Sequence, residues 1–310
     1  MNYPYANGII SAIEVRLFNR SHYAKLEKVE KAGFLKQLRE FGYGGAAASI
    51  EEAIATELTG LREFLNGISP NRNLTDLFFI EIDAVNIKAA LKRKHYSAVE
   101  SVYMPGGNIA QEALEAAVFS DDYALLDKSQ TGLIREIAAA ATACPDARTF
   151  SITADKMIYA YVFRRLPLLA DPALRTYFQT AVDAKNVVMM IRSRVLGWDW
   201  PEFSAMFIPG GTIPISVFAE AYPAADEALP GFFKEHYQEK IGLGLKKYFQ
   251  SENIDSLERL FEQLLIETMK NYRYDSFGIG PIIYYYLAKQ AEASNIRLLY
   301  AGGEADLIDY

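Results

Sequence analysis

Cysteine is nearly absent: Cys144 is the only one in 310 residues. A lone thiol excludes an intramolecular disulfide, a CxxC redox pair and a cysteine-rich zinc site, and fits a reducing compartment. Long uncharged runs are also missing. The best of them, Gly278 to Ala288, stops at Lys289, well short of the roughly 18–20 apolar residues that a spanning helix requires, so no membrane span is expected. Residues 1–10 carry neither a basic n-region nor a continuous apolar h-region, which predicts a chain retained inside the cell. There is no concentrated basic tract either. With 32 Lys and Arg against 39 Asp and Glu the net charge is -7, which disfavours a nucleic-acid partner, whose phosphates need cations to displace counterions. The same balance disfavours simple adhesion to anionic lipid. With only 20 Gly and 12 Pro, collagen-like and low-complexity chains are excluded.

What is present is apolar and aromatic. Hydrophobic residues make up 51% and charged ones 23%, enough for a folded core, and the length is about twice that of a usual domain. Twenty Tyr and 18 Phe, with Tyr284-Tyr285-Tyr286 in one run, suit core packing and leave room for contact surfaces. Apolar residues recur at helical spacing, and runs of strict alternation are missing, so the fold class is all-α. Amphipathic helices are predicted over 9–41 and over 49–66, the second opened by a capping box of Ser49 and Glu52. Others are predicted at 74–96, 110–119, 132–143, 152–169, 172–196, 214–222, 233–250, 255–272 and 281–300. Gly, Pro, Asn and Asp punctuate the gaps.

An internal repeat underlies these helices. Asp83-Ala84-Val85-Asn86-Ile87 returns as Asp183-Ala184-Lys185-Asn186-Val187, and more weakly as Glu292-Ala293-Ser294-Asn295-Ile296. Composition alone would give about 0.2 occurrences of acid-x-x-Asn-Ile/Val in a chain of this length. A second match follows the first two: Tyr103-Met104-Pro105-Gly106-Gly107-Asn108-Ile109 against Phe207-Ile208-Pro209-Gly210-Gly211-Thr212-Ile213. The second copy carries four extra residues around Gly197-Trp198-Asp199-Trp200, and in the third only Tyr300-Ala301-Gly302-Gly303 remains. One helical module used three times follows, over 1–109, 110–213 and 214–310. Acid and Asn at i and i+3 share a helix face. Asn competes for backbone hydrogen bonds and is a poor helix former, so its return at one helical place implies a specific partner. An anchor between neighbouring helices is the structural reading and a ligand contact the functional one. Pro and paired Gly suit a helix stop and a tight reversal.

Other sites are weaker. His22, His95 and His236 lie on separate predicted helices without HExxH spacing, so no metal centre and no cofactor are expected. Lys92-Arg93-Lys94-His95 reads as a solvated helix end with charge favourable to the dipole. Gly242-Leu243-Gly244 and Gly278-Ile279-Gly280 do not extend to a nucleotide loop. Asp121-Asp122 with Asp127 could hold Mg²⁺ against a diphosphate in an all-helical enzyme of the isoprenoid-synthase kind. However, Asp127 is off the face that a DDxxD cluster needs. Ser151, Ser193 and Ser204 lack nucleophile-elbow glycines, and Cys144, before Pro145, lacks an identifiable base.

The three acid-x-x-Asn segments, Lys88, Leu91 and Lys94 after the first of them, and the stretch Tyr286-Leu287-Ala288-Lys289 through Asn295-Ile296-Arg297 resemble the C subunit of archaeal and bacterial V-type ATPases, the counterpart of the eukaryotic d subunit. The likeness covers nearly the whole chain. It implies a helical funnel of pseudo-three-fold symmetry on the cytoplasmic face of the proteolipid rotor ring, with the central stalk plugged into it. Such a subunit, present once per complex, catalyses nothing and transmits torque. The sequence departs from that pattern after the third copy, where Gly302-Gly303 and the acidic Glu304, Asp306 and Asp309 stand in place of Gly-Lys. A helical-repeat scaffold outside rotary machines is the third reading.

Overall fold

In the computed structural model, which describes residues 2–96, 103–302 and 307–310, every regular element is a helix. The first is α1, Tyr3–Ile13, capped by the Asn2 side chain accepting from the Tyr5 N–H. A 3₁₀ turn, Glu14–Arg16, leads to an extended Leu17. Asn19 then accepts from the Ser21 and His22 N–H groups and starts α2, Arg20–Leu26, with His22 closing the capping box; α3 is Lys31–Glu40. The segment 9–41, expected as one amphipathic helix, is therefore three helices: a start signal lies inside the periodic stretch, and capping overrides the period.

Ser49 opens α4, Ile50–Ile68, by accepting from Glu52 N, while the Glu52 carboxylate reaches back to Ala48 N, one residue before the expected partner. Residues 74–96 divide at Phe79 into α5, Arg72–Phe78, and α6, Ile80–Tyr96. Next come α7, Gln111–Ser120, α8, Lys128–Ala143, and α9, Ala147–Leu169, which begins earlier than expected because Asp146 caps it through Thr149 N. Pro172 occupies the first turn of α10, Pro172–Val195, where its missing N–H costs nothing. The four extra residues of the second copy lead into α11, Trp200–Met206, boxed by reciprocal bonds between Asp199 and Glu202. The chain ends its helical course with α12, Ile215–Ala221, α13, Leu229–Phe232, α14, Lys240–Ser251, α15, Ile254–Met269, and α16, Gly280–Ala301. The helix expected over 233–250 starts only at Lys240, because Tyr237, Gln238 and Glu239 all take positive φ, which a helix cannot accommodate.

Contacts divide the chain into two compact units: residues 1–70, 171–204 and 211–310, and residues 71–170 with 205–210. In the first, α16 packs on α1, α4 and α15, and α15 on α10 and α14. Its core joins Phe18, Tyr23 and Leu26 to Phe34, Leu38, Ile50 and Ile54, with Ala293 and Ile296 of α16 among them. In the second unit, α6 packs on α7, α8 and α9 and buries Ile87, Ala90 and Leu91. Among the described residues no helix is long and apolar enough to cross a membrane.

Candidate functional site

Each copy of the acid-x-x-Asn segment lies on a helix that buries it: Asp83 and Asn86 on α6, Asp183 and Asn186 on α10, Glu292 and Asn295 on α16. Asp183, Asn186, Glu292 and Asn295 are 0% exposed, Asp83 3% and Asn86 6%. Burying such groups is unfavourable unless they are paired. At the first copy the partner is a loop backbone rather than a neighbouring helix. Asn86 Oδ1 accepts from Met104 N (2.8 Å), and its Nδ2 donates to Met104 O (2.9 Å). Asp83 Oδ1 accepts from Asn108 N (2.7 Å) and Ile109 N (3.0 Å), while Oδ2 takes Asn108 Nδ2 (2.6 Å). Pro105-Gly106-Gly107 is the span between the two grips. Gly106 has φ 88°, and a Cβ at Gly107 would lie 2.5 Å from Asp83 Oδ1. The first glycine thus serves a conformation that a side chain disfavours, and the second allows the backbone to touch the carboxylate.

The second copy repeats the acid's grip. Asp183 accepts from Thr212 N (2.8 Å), Thr212 Oγ1 (2.7 Å), Ile213 N (3.1 Å) and Tyr237 OH (2.6 Å). In Pro209-Gly210-Gly211, Gly210 has φ 113° and lies against the Phe163 ring, and a Cβ at Gly211 would overlap Asp183 Oδ1. Burial and the adjacent Asp183 carboxylate push the Tyr237 phenol up from its ordinary value, so it stays protonated and donates.

The third copy is built differently. Asn295 takes Ile308 N (2.9 Å) and gives to Ile308 O (3.0 Å), the two-point grip that Asn86 makes on Met104. Glu292, however, accepts one backbone N–H among the described residues, that of Phe18 (2.7 Å), from the other end of the sequence. Lys289 supplies the remaining donor: it pairs with Glu292, lies 3.5 Å from Glu57, and stacks over the Tyr43 ring at 4.8 Å. Burial raises the Glu292 carboxyl above its usual range, and Lys289 and the Phe18 N–H oppose that rise. No Pro-Gly-Gly stands here. The expected Tyr300-Ala301-Gly302 closes α16, with Gly302 at φ 79°, while Gly303, Glu304 and Asp306 lie outside the described residues. Asp309 is held through its backbone, by Gln263. Sequence reading named Lys289 only within the stretch that carries the family likeness and gave it no partner; it did not find Phe18 and Ile308, which take part through their main chain.

Carboxylates whose acceptor sites are filled by backbone donors are fasteners rather than bases. Among the described residues no group of three or more His, Cys, Asp and Glu could hold a metal ion. The three aspartates considered for Mg²⁺ are helix punctuation instead: Asp121 ends α7 in the left-handed region, Asp122 accepts from Ala124 N, and Asp127 caps α8 with Gln130. His22 belongs to the α2 cap and stacks on Phe18. In the basic cluster, Arg93 pairs with Glu115 at 3.2 Å and lies over Phe119, and Lys94 donates to the Val118 carbonyl at the end of α7. Cys144, half-buried, has its Sγ 3.7 Å from Thr153 Oγ1.

Known proteins similar to this chain are C subunits of ATP synthases. The chain is 23% identical to the C subunit of the A-type ATP synthase of Methanothermobacter thermautotrophicus, covering 96% of this chain and 83% of that protein. It is 23% identical to the A-type C subunit of Haloquadratum walsbyi, covering 99% and 96%. It is also 24% identical to the C subunit of the V-type ATP synthase of Thermus thermophilus, covering 96% and 93%. These are subunits of a larger complex, in keeping with a non-catalytic chain, and the isoprenoid-synthase alternative is not favoured. The profile of the ATP synthase (C/AC39) subunit family matches residues 6–307, and the chain belongs to that family.

Proposed function

We propose that the chain is the non-catalytic coupling subunit of a rotary A/V-type ATPase. It links central stalk subunits to the proteolipid rotor ring and transmits torque between ATP turnover and ion movement. In this reading three modules, 1–109, 110–213 and 214–310, form a funnel around a central socket. One copy per complex sits peripherally on the cytoplasmic face of the membrane, and the chain is monomeric alone. The observation that carries the proposal is the family match over residues 6–307. The buried clasps support it physically: a torque-bearing part must not yield, and backbone loops fastened to helices by charge-assisted hydrogen bonds resist displacement.

The test is purification of the assembled enzyme from cells carrying a tagged chain. Stalk subunits and the membrane ring should come with it, and its removal should leave ATP hydrolysis that no longer drives ion transport. Mg²⁺-dependent diphosphate turnover by the isolated chain, abolished by Asp122→Asn, would overturn the reading.

A further inference from the structure

We propose that the third clasp is the seam of the first compact unit, the place where it opens before its other grips do. The three clasps share one register. Each acid grips an N–H two residues before the next helix: Ile109 before α7 at Gln111, Ile213 before α12 at Ile215, and Phe18 before α2 at Arg20. Phe18 therefore occupies the place of Ile109 and Ile213, and Ile308 occupies the place of Met104. At the first clasp the two gripped stretches are successive parts of one loop, so releasing either leaves the other holding the same short span. At the third they are separated by nearly the whole sequence.

What joins the two stretches there is non-covalent. Tyr310 OH donates to Phe18 O (2.8 Å) and, its one proton so used, accepts from Tyr23 OH (2.5 Å); the Gln263 side chain separately holds the Asp309 N–H and C=O (2.7 and 3.0 Å). Residues 307–310 form a strap over residues 17–23. Without a continuous loop between them, a grip on one stretch no longer holds the other nearby: Phe18 is 274 residues from Glu292 in sequence, and Ile308 is kept within reach only by its 13-residue separation from Asn295. The acid also has fewer backbone donors to lose, one against two. The strap has room to leave, because a cavity of about 760 Å³ runs along it, walled by Leu17, Ala24 and Glu27. This inference does not depend on the coupling role.

Amide-resolved hydrogen exchange on the full chain tests it. Protection factors at Phe18 and Ile308 should be at least about tenfold lower than at Met104, Ile109 and Ile213. Tyr310→Phe should lower the first two further and leave the other three unchanged. Equal or greater protection at Phe18 and Ile308, or a Tyr310→Phe effect spread evenly over all five amides, would overturn the seam.

Discussion

An asparagine buried in mid-helix holds its place because both ends of its amide are used. Asn86 and Asn295 each satisfy the N–H and the C=O of one residue, Met104 and Ile308. Asn86→Leu and Asn295→Leu should each lower unfolding free energy by about 1–3 kcal/mol, since both backbone groups lose their partner; unchanged denaturation midpoints would count against the clasp. Glu292 gives a pH signature. Its folded pKa lies above the ordinary carboxylate value because burial disfavours the charge. Above the unfolded pKa the unfolded state releases its proton first, so this group's contribution to stability falls as pH rises from the unfolded towards the folded value, and is constant below. Melting curves of wild type minus Glu292→Gln across that range should show the decline, and a flat difference would refute it. The residues of the clasps were readable in the sequence because acid and Asn recur at fixed spacing. Their partners were not: backbone amides leave no mark in a sequence, and only the paired glycines hinted that a main chain comes close.

At the scale of elements, helix type was legible from the apolar period, and boundaries failed where caps or turns decided them. Asn19 inside 9–41 and the positive φ run at Tyr237–Glu239 interrupt patterns that read as continuous. The extra residues of the second copy were visible as an insertion, but the formation of α11 depends on the Asp199–Glu202 box. Asp199→Ala should therefore cost about 1 kcal/mol, and exchange of the Phe203 amide should quicken while α10 amides are unaffected. Gly210→Ala should be worse than an ordinary helix-cap loss, because φ 113° and the Phe163 ring both oppose a side chain. Thermal melting of this variant beside Gly231→Ala, where a Cβ meets open space, separates strain from a generic glycine effect.

At the scale of the molecule, the first clasp belongs to one compact unit and the third to the other, and the bonds of Asn86 go to Met104 while the two-point grip of Asn295 is on Ile308. The double variant Asn86→Leu/Asn295→Leu should therefore lose the sum of the single losses to within about 0.5 kcal/mol; a larger departure would mean that the two clasps are energetically coupled. The acid in each copy also fixes what may stand opposite it. Asp83 and Asp183 face glycines with no space for a Cβ, so one more methylene, about 1.5 Å, would drive either carboxylate into main chain. Glu292, reaching for the amide of Phe18 with no glycine pair before it, would fall short by the same length if cut back to aspartate. Side-chain reach and loop bulk are matched like key and ward at each position, so the three copies, alike on paper, cannot be exchanged one residue at a time.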